Sequence, residues 1–184
     1  MTTSRTLFIK RTPILVGALL CCAAGVQAQQ IKLMTGPQGG SWYPLGGAIA
    51  NIADGVGVKI QVLPGAGIAN VKGVNGGKAD FGFGNSISTV DGVAGRAPFD
   101  APTKNVCNVA TLYPQFYQVV ANADANIKSI GDLKGKALAV QPKGNTAEFI
   151  SQQSLQVYGL KYEDMSRVSY VSYTDAVSLM KDNN

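Results

Sequence analysis

Four glycine-bearing turns, each set between a short apolar run and a helical stretch, constrain the fold of this chain most strongly. Three lie in the first half, at 36–43, 64–70 and 84–87, and the fourth lies at 141–146. Glycine tolerates positive φ and lets the backbone approach a neighbour closely. Short strands that alternate with helices predict a layered α/β fold. In a sheet of parallel strands, the turns that follow the strands lie together at one edge.

The hydrophobic pattern predicts the elements in detail. The predicted strands are 31–35, 58–63, 79–84, 106–112, 116–121, 137–140 and 168–171. The predicted helices are 42–54, 68–74, a short one capped by Ser86, a brief one over 129–132 with Ser129 and Asp132 as its cap, 147–158, and 175–180 capped by Thr174. The chain stops after this last helix with no strand for the helix to cover, which favours a sequence that is cut short.

Residues 1–28 have the pattern of a secretory signal peptide. Arg5, Lys10 and Arg11 precede an apolar run at 14–24, and Val26-Gln27-Ala28 resembles a cleavage site. The run is too short for a helix that spans about 30 Å of hydrocarbon. We therefore expect cleavage after Ala28 and a periplasmic protein, with an uncleaved membrane anchor as the alternative.

Removal of this segment changes the charge and the cysteine content. The whole chain has a formal charge of +5, but the segment carries three cations and no acid, which leaves 13 cations against 11 acids. Nothing in that balance favours nucleic-acid binding. Cys107 is then the only cysteine, and its apolar neighbours predict a buried packing role.

Catalytic chemistry is disfavoured by composition. The chain has no histidine, so the commonest general base and metal ligand is missing. Cys107 has no histidine to activate it, and no carboxylate pair is placed for acid–base work. We therefore expect no enzyme activity, no metal and no cofactor.

The junctions instead favour anion binding. Each is followed by a helix N-terminus with free N–H groups and partial positive charge. If the four converge, they would hold an anion, most simply a carboxylate. A single glycine turn is usually only a turn, and Trp42 or Tyr43 taken alone is more often a core residue. Lys143 in the fourth turn is either a cation at the anion site or a solvated side chain.

The order of these motifs resembles a known family. Residues 31–47, IKLMTGPQGGSWYPLGG, look like the opening of the TAXI family, the extracytoplasmic solute receptors of tripartite ATP-independent periplasmic (TRAP) transporters. The resemblance continues through 64–70, 76–82, 112–114 and, more loosely, 141–146. The segment 127–136 matches many binding proteins and is less specific.

The resemblance implies a type II periplasmic binding protein fold with mixed sheets, in which two lobes close on a solute. The first lobe would be 29–114, and 115–184 would be a second lobe that is incomplete. The implied function is capture of a small carboxylate or amino acid for a TRAP membrane permease, by a monomer without a cofactor. The alternative is a binding protein for a thiamine precursor or sulfonate-like solute of an ATP-driven importer. The implied solute-binding residues are Ser41, Trp42, Tyr43, Gly67, Ile68, Asn70, Asn85, Ser86, Tyr113, Gln115, Gly144, Asn145 and Thr146.

Overall fold

A three-stranded parallel sheet organises the first half of the chain. The computed structural model describes residues 30–182, so the predicted signal peptide lies outside the described residues. Strand β1 (Ile31–Met34) is central, between β2 (Ile60–Leu63) and β3 (Phe81–Gly82). Leu33 is buried and lies opposite residues of both neighbouring strands. Because the strands are parallel, their carboxyl ends share one edge.

A helix follows each strand of this sheet. These helices are α1 (Trp42–Asp54), α2 (Gly67–Asn75) and α3 (Ser86–Ala94). The bounds predicted for α1 are confirmed, and those of α2 differ by one residue at each end. Glycine at position 46 lets α1 lie close to the sheet, since a Cβ there would overlap the methyl group of Thr35. The buried side chains of α2 pack with Phe99 in a small hydrophobic cluster.

A second sheet organises the rest. Strands β4 (Ala137–Val140) and β5 (Arg167–Tyr170) pair in parallel. Helix α4 (Thr146–Val157) connects them, and α5 (Tyr173–Lys181) follows β5. The core here consists of four buried residues, Leu133, Leu155, Leu160 and Met165.

The helix N-caps match the prediction at Ser129 and differ from it at α5. Ser129 and Asp132 form the predicted capping box over a short 3-10 helix. Hydrogen bonds from the N–H of Lys128 and from the hydroxyl and N–H of Ser129 lower the pKa of Asp132. The prediction that Thr174 caps α5 is wrong. Helix α5 begins at Tyr173, two residues earlier than predicted, and the Oγ of Ser172 accepts the hydrogen bond from the N–H of Asp175 at 3.2 Å.

The strands predicted at 106–112 and 116–121 do not form. The backbone there has no regular secondary structure, and residues 107–124 are exposed. Val109, Phe116 and Val120 are 72%, 78% and 73% exposed. The residue types have high β-propensity, but no strand in residues 30–182 pairs with them, so no ladder can form. For the same reason the prediction that Cys107 is buried is wrong, since its side chain is exposed.

The predicted α/β class is confirmed. All strand pairs within residues 30–182 are parallel, whereas mixed sheets were expected. Each sheet lies within one of the two predicted lobes. In the same residues, no helix combines the length and the apolar character needed to cross a membrane.

Candidate functional site

The carboxyl edges of the two sheets face each other. The start of α4, which follows β4, contacts the starts of α2 and α3. The start of α5, which follows β5, contacts the turn between β1 and α1. All five strand-to-helix junctions therefore lie along one boundary between the two halves of the chain. Such a boundary is where α/β proteins bind small ligands.

The buried side chain of Asn70 forms hydrogen bonds with all three junctions of the first sheet. Asn70 is 1% exposed. Its Nδ2 donates to the carbonyl oxygens of Thr35 at 2.6 Å and of Phe83 at 2.8 Å, and its Oδ1 accepts from the N–H of Ala66 at 3.0 Å. These three partners follow β1, β3 and β2 respectively. The amide of Asn70 is thus occupied by the backbone of the loops that the sequence predicts to bind the solute.

The starts of α2 and α3 contact the start of α4. The hydroxyl groups of Ser88 and Thr146 lie 2.7 Å apart, and both residues are 3% exposed. Thr146 also lies directly over Gly67, where a Cβ would overlap the Thr146 hydroxyl and lie 2.6 Å from Oδ1 of Asn85. Only glycine at position 67 permits this approach. Phe149, one turn further along α4, packs on the hydrophobic cluster of α2.

Backbone groups complete this contact. The N–H of Ala69, in the first turn of α2, donates to the carbonyl oxygen of Gly144 at 3.1 Å. Gly144 has φ of +89°, a conformation that favours glycine. Asn145 caps α4, because its Oδ1 accepts from the N–H of Ala147 at 2.9 Å. Within residues 30–182, Gly67 has no backbone hydrogen-bond partner for its own N–H.

A chain of side-chain hydrogen bonds joins the irregular segment 106–121 to the start of α3. The Nδ2 of Asn85 donates to Oε1 of Gln115 at 2.5 Å. The Nε2 of Gln115 lies 3.5 Å from the hydroxyl oxygen of Tyr113, at the limit of a hydrogen bond. Asn85 is the N-cap residue of α3 but makes no side-chain cap. Its amide is therefore directed to the boundary and not to its own helix.

The start of α1 supplies an aromatic part of the boundary. Trp42 packs edge-on against Phe83, with ring centroids 5.7 Å apart. Ser41 precedes α1, is exposed and makes no side-chain cap. Tyr43 is partly buried. These residues lie beside the turn that meets α5.

Three further residues of the predicted junctions, Ile68, Ser86 and Lys143, differ in their accessibility. Ile68 is 4% exposed and belongs to the hydrophobic cluster of α2. Ser86 is exposed at the start of α3. The ammonium group of Lys143 lies 5.4 Å from the ring centre of Tyr170, within the range of a cation–π contact. Ile68 therefore faces the core, whereas the other two remain accessible.

A cavity of about 490 Å³ lies away from these junctions. It is lined by Asn122, Ala123, Asp124, Ala125 and Met180. Met180 is in the last turn of α5, at the opposite end from the junctions. The walls come from one short 3-10 helix and the end of α5, and no strand end reaches them. We therefore place the candidate site at the junctions.

Sequence reasoning missed three residues of this boundary: Ser88, Tyr173 and Thr174. The segment Tyr170 to Asp175 joins the end of β5 to the start of α5, as the four recognised junctions join a strand to a helix, but it contains no glycine. Glycine content was therefore too narrow a criterion. Ser88 lies in the first turn of α3, where no motif distinguishes it from an ordinary surface serine.

Three solved structures are similar to this chain at 84% coverage of its length. The periplasmic aliphatic sulphonate binding protein SsuA of Escherichia coli is 21% identical over 48% of its own chain, with a TM-score of 0.47. The alkanesulfonate-binding protein SsuA of Xanthomonas axonopodis pv. citri, bound to MOPS, is 17% identical over 51% of its chain, with a TM-score of 0.47. An ancestral arginine-binding protein bound to arginine is 19% identical over 66% of its chain, with a TM-score of 0.48.

The present chain spans about half the length of the two sulfonate-binding proteins. The model of the NMT1-like family matches residues 33–184, which include every junction described above and all but the first two residues of β1. The chain therefore belongs to the NMT1-like family.

Proposed function

We propose that this chain is an extracytoplasmic solute-binding receptor that captures a small carboxylate or amino acid between its two halves. The observation that carries the proposal is the meeting of α2, α3 and α4 at their N-termini. Each terminus presents N–H groups and partial positive charge, so together they favour an anionic group. The polar side chains nearest to this point are those of Asn85 and Thr146.

Recognition here needs hydrogen-bond donors, and no bond of the solute has to be broken. The described side chains at the boundary are hydroxyl, amide and aromatic groups. None of them forms a nucleophile paired with a general base. The arrangement is therefore suited to binding and release, with no chemical turnover.

Release to a membrane partner requires the halves to separate. The direct contacts are local: the Ser88–Thr146 and Asn85–Gln115 hydrogen bonds, the Ala69–Gly144 backbone bond, and the packing at Gly39, Gly40, Gly67 and Phe149. Contacts of this kind can be replaced by contacts with water when the halves separate in a hinge motion. Our proposal assigns delivery to a TRAP permease, with the TAXI-like motifs as its support, and a periplasmic location.

The second candidate is a binding protein of an ATP-driven importer for a sulfonate-like solute or a thiamine precursor. Its support is the match to the NMT1-like family together with the segment 127–136, which many binding proteins share. A sulfonate presents a tetrahedral anion to the same N–H groups. The anion preference of the protein separates the two candidates.

Trp42 provides the experiment, because it is the only tryptophan of the chain and lies at the candidate site. We expect its fluorescence, and the melting temperature, to change on titration with at least one of acetate, hexanoate, succinate, L-glutamate and butanesulfonate. Preference for a carboxylate supports the receptor proposed first, and preference for butanesulfonate supports the second candidate. Absence of any response in either measurement would contradict both.

A pair of glycine substitutions locates the binding. Gly67→Ala should weaken binding of the responsive anion at least about tenfold, because the added Cβ overlaps the Thr146 hydroxyl and holds the halves apart. Gly47→Ala is the control, since no atom lies within 4 Å of a Cβ at that position. Equal affinities for the two variants would remove the α2–α4 contact from the site.

A further inference from the structure

We infer that Tyr173, at the start of α5, forms an apolar wall of the solute site and selects anions that carry an aliphatic chain. This inference rests on the function proposed above. It concerns a residue that none of the junction motifs includes.

The start of α5 packs against the turn after β1. A Cβ on Gly40 would lie 3.4 and 3.5 Å from two carbon atoms of the Tyr173 ring, so the ring lies against the backbone of that glycine. A Cβ on Gly39 would lie 2.6 Å from the hydroxyl oxygen of Thr174. Gly39 has φ of +84°. The turn is thus shaped to receive the first two residues of α5.

The Tyr173 side chain is partly covered and partly accessible. It is 44% exposed, and two of its ring carbons lie against Gly40. Burial of the hydroxyl group raises the pKa of Tyr173. The residue is therefore a neutral aromatic side chain that is partly accessible, and its ring lies against Gly40, two residues before Trp42.

The α2–α4 contact and the contact of α5 with the turn after β1 differ in chemistry. The α2–α4 contact presents hydroxyl, amide and N–H groups. The contact of α5 presents an aromatic ring, with Trp42 on the opposite half. A solute that touches both contacts has an anionic head and an apolar body. Burial of that body against the ring adds affinity that a bare anion lacks.

The test compares hexanoate with acetate in the full chain, by Trp42 fluorescence and by calorimetry. The wild-type protein should bind hexanoate more tightly than acetate. Tyr173→Ala should reduce this ratio of affinities at least about tenfold, and Tyr173→Phe should keep the ratio within about threefold of the wild type. Val177→Ala, an exposed residue one turn further along α5, should leave the ratio unchanged.

The outcomes separate this inference from the proposed function. If Tyr173→Ala leaves the ratio of affinities unchanged, the inference is overturned. The proposed function still stands in that case if Gly67→Ala weakens the binding of both anions. Binding of neither anion by the wild-type protein overturns both the carboxylate proposal and the inference. A reduced ratio in Tyr173→Ala also excludes a purely structural role for Tyr173, since loss of folding would weaken the binding of acetate and of hexanoate equally.

Discussion

The Oγ of Ser88 and the Oγ1 of Thr146 lie 2.7 Å apart, and this hydrogen bond joins the two halves of the chain out of contact with water. Ser88 belongs to α3, which follows β3 of the first sheet, and Thr146 is the first residue of α4, which follows β4 of the second. A buried hydroxyl group that loses its partner is costly. The pair is therefore a specific contact whose loss should weaken the packing of the halves.

This coupling is measurable by a double-mutant cycle. Thr146→Val leaves the Ser88 hydroxyl buried without a partner and should reduce the free energy of unfolding by about 1–3 kcal/mol. Adding Ser88→Ala should then cost little more, with a coupling of about 1 kcal/mol in urea denaturation. Thr146→Ser, which keeps the hydroxyl, is the control. Strictly additive losses would show that the two groups do not interact.

Asn70 should be more important for stability than its place in the binding-site prediction implies. Asn70→Ala removes hydrogen bonds to three loops and should lower the free energy of unfolding by roughly 2–4 kcal/mol. Asn70→Asp should be worse, because a carboxylate would face the carbonyl oxygens of Thr35 and Phe83. Asn51→Ala, on the exposed face of α1, is the matched control for chemical denaturation.

The solute affinity of these variants is a separate question. The sequence predicts that Asn70→Ala weakens solute binding by roughly 1–3 kcal/mol, as loss of a buried polar partner would. Since its amide is held by the loops, we now assign any such effect to displaced loops. Unchanged affinity in a variant with reduced stability would show that the loops keep their positions without this side chain.

Stability should fall at alkaline pH because of Tyr162. Its hydroxyl donates to Oε1 of Glu148 at 3.2 Å, and burial, together with the charge of Glu148, raises its pKa. A phenol whose pKa is raised in the folded state stabilises the fold fully below the unfolded value of about 10 and loses that contribution above it. Tyr162→Phe should therefore flatten the decline of unfolding free energy above this pH.

Denaturation series at neutral and alkaline pH measure this effect. Tyr158→Phe, at an exposed tyrosine, should leave the unfolding free energy at neutral pH unchanged. Tyr173 has a raised pKa as well, so a shallower decline should remain in Tyr162→Phe. A decline as steep as that of the wild-type protein would assign the alkaline sensitivity to other groups.

The sequence predicted the elements whose information is local. The bounds of α1 follow from its apolar spacing and from Pro44 in its first turn, and the capping box at Ser129 depends on residues three apart. The segment 106–121 failed for the opposite reason. Its β-propensity is a local property, but a strand requires a partner at a distance, and residues 30–182 supply none.

The same distinction separates the predicted from the missed site residues. The loops that carry Gly67, Asn85 and Thr146 were identified by their glycine and polar residues, and the structure brings these three together. Ser88 and Tyr173 were missed, since their roles depend on which helices meet across the boundary. The hydrogen-bond partners of Asn70 could not be predicted either, because they lie at the ends of three strands that are distant from one another in the sequence.

The most direct test of the account is disulfide formation between Ser88→Cys and Thr146→Cys, in a chain whose Cys21, Cys22 and Cys107 are replaced by serine. The 2.7 Å separation of the native hydroxyl oxygens lets the sulfur atoms bond with little movement. Ser88→Cys paired with Ser154→Cys, two turns further along α4, is the control. We predict rapid oxidation of the first pair alone, accelerated by the anion that Trp42 fluorescence detects. Equal rates for both pairs, or slower oxidation with the anion, would contradict a solute held between the facing edges of the two sheets.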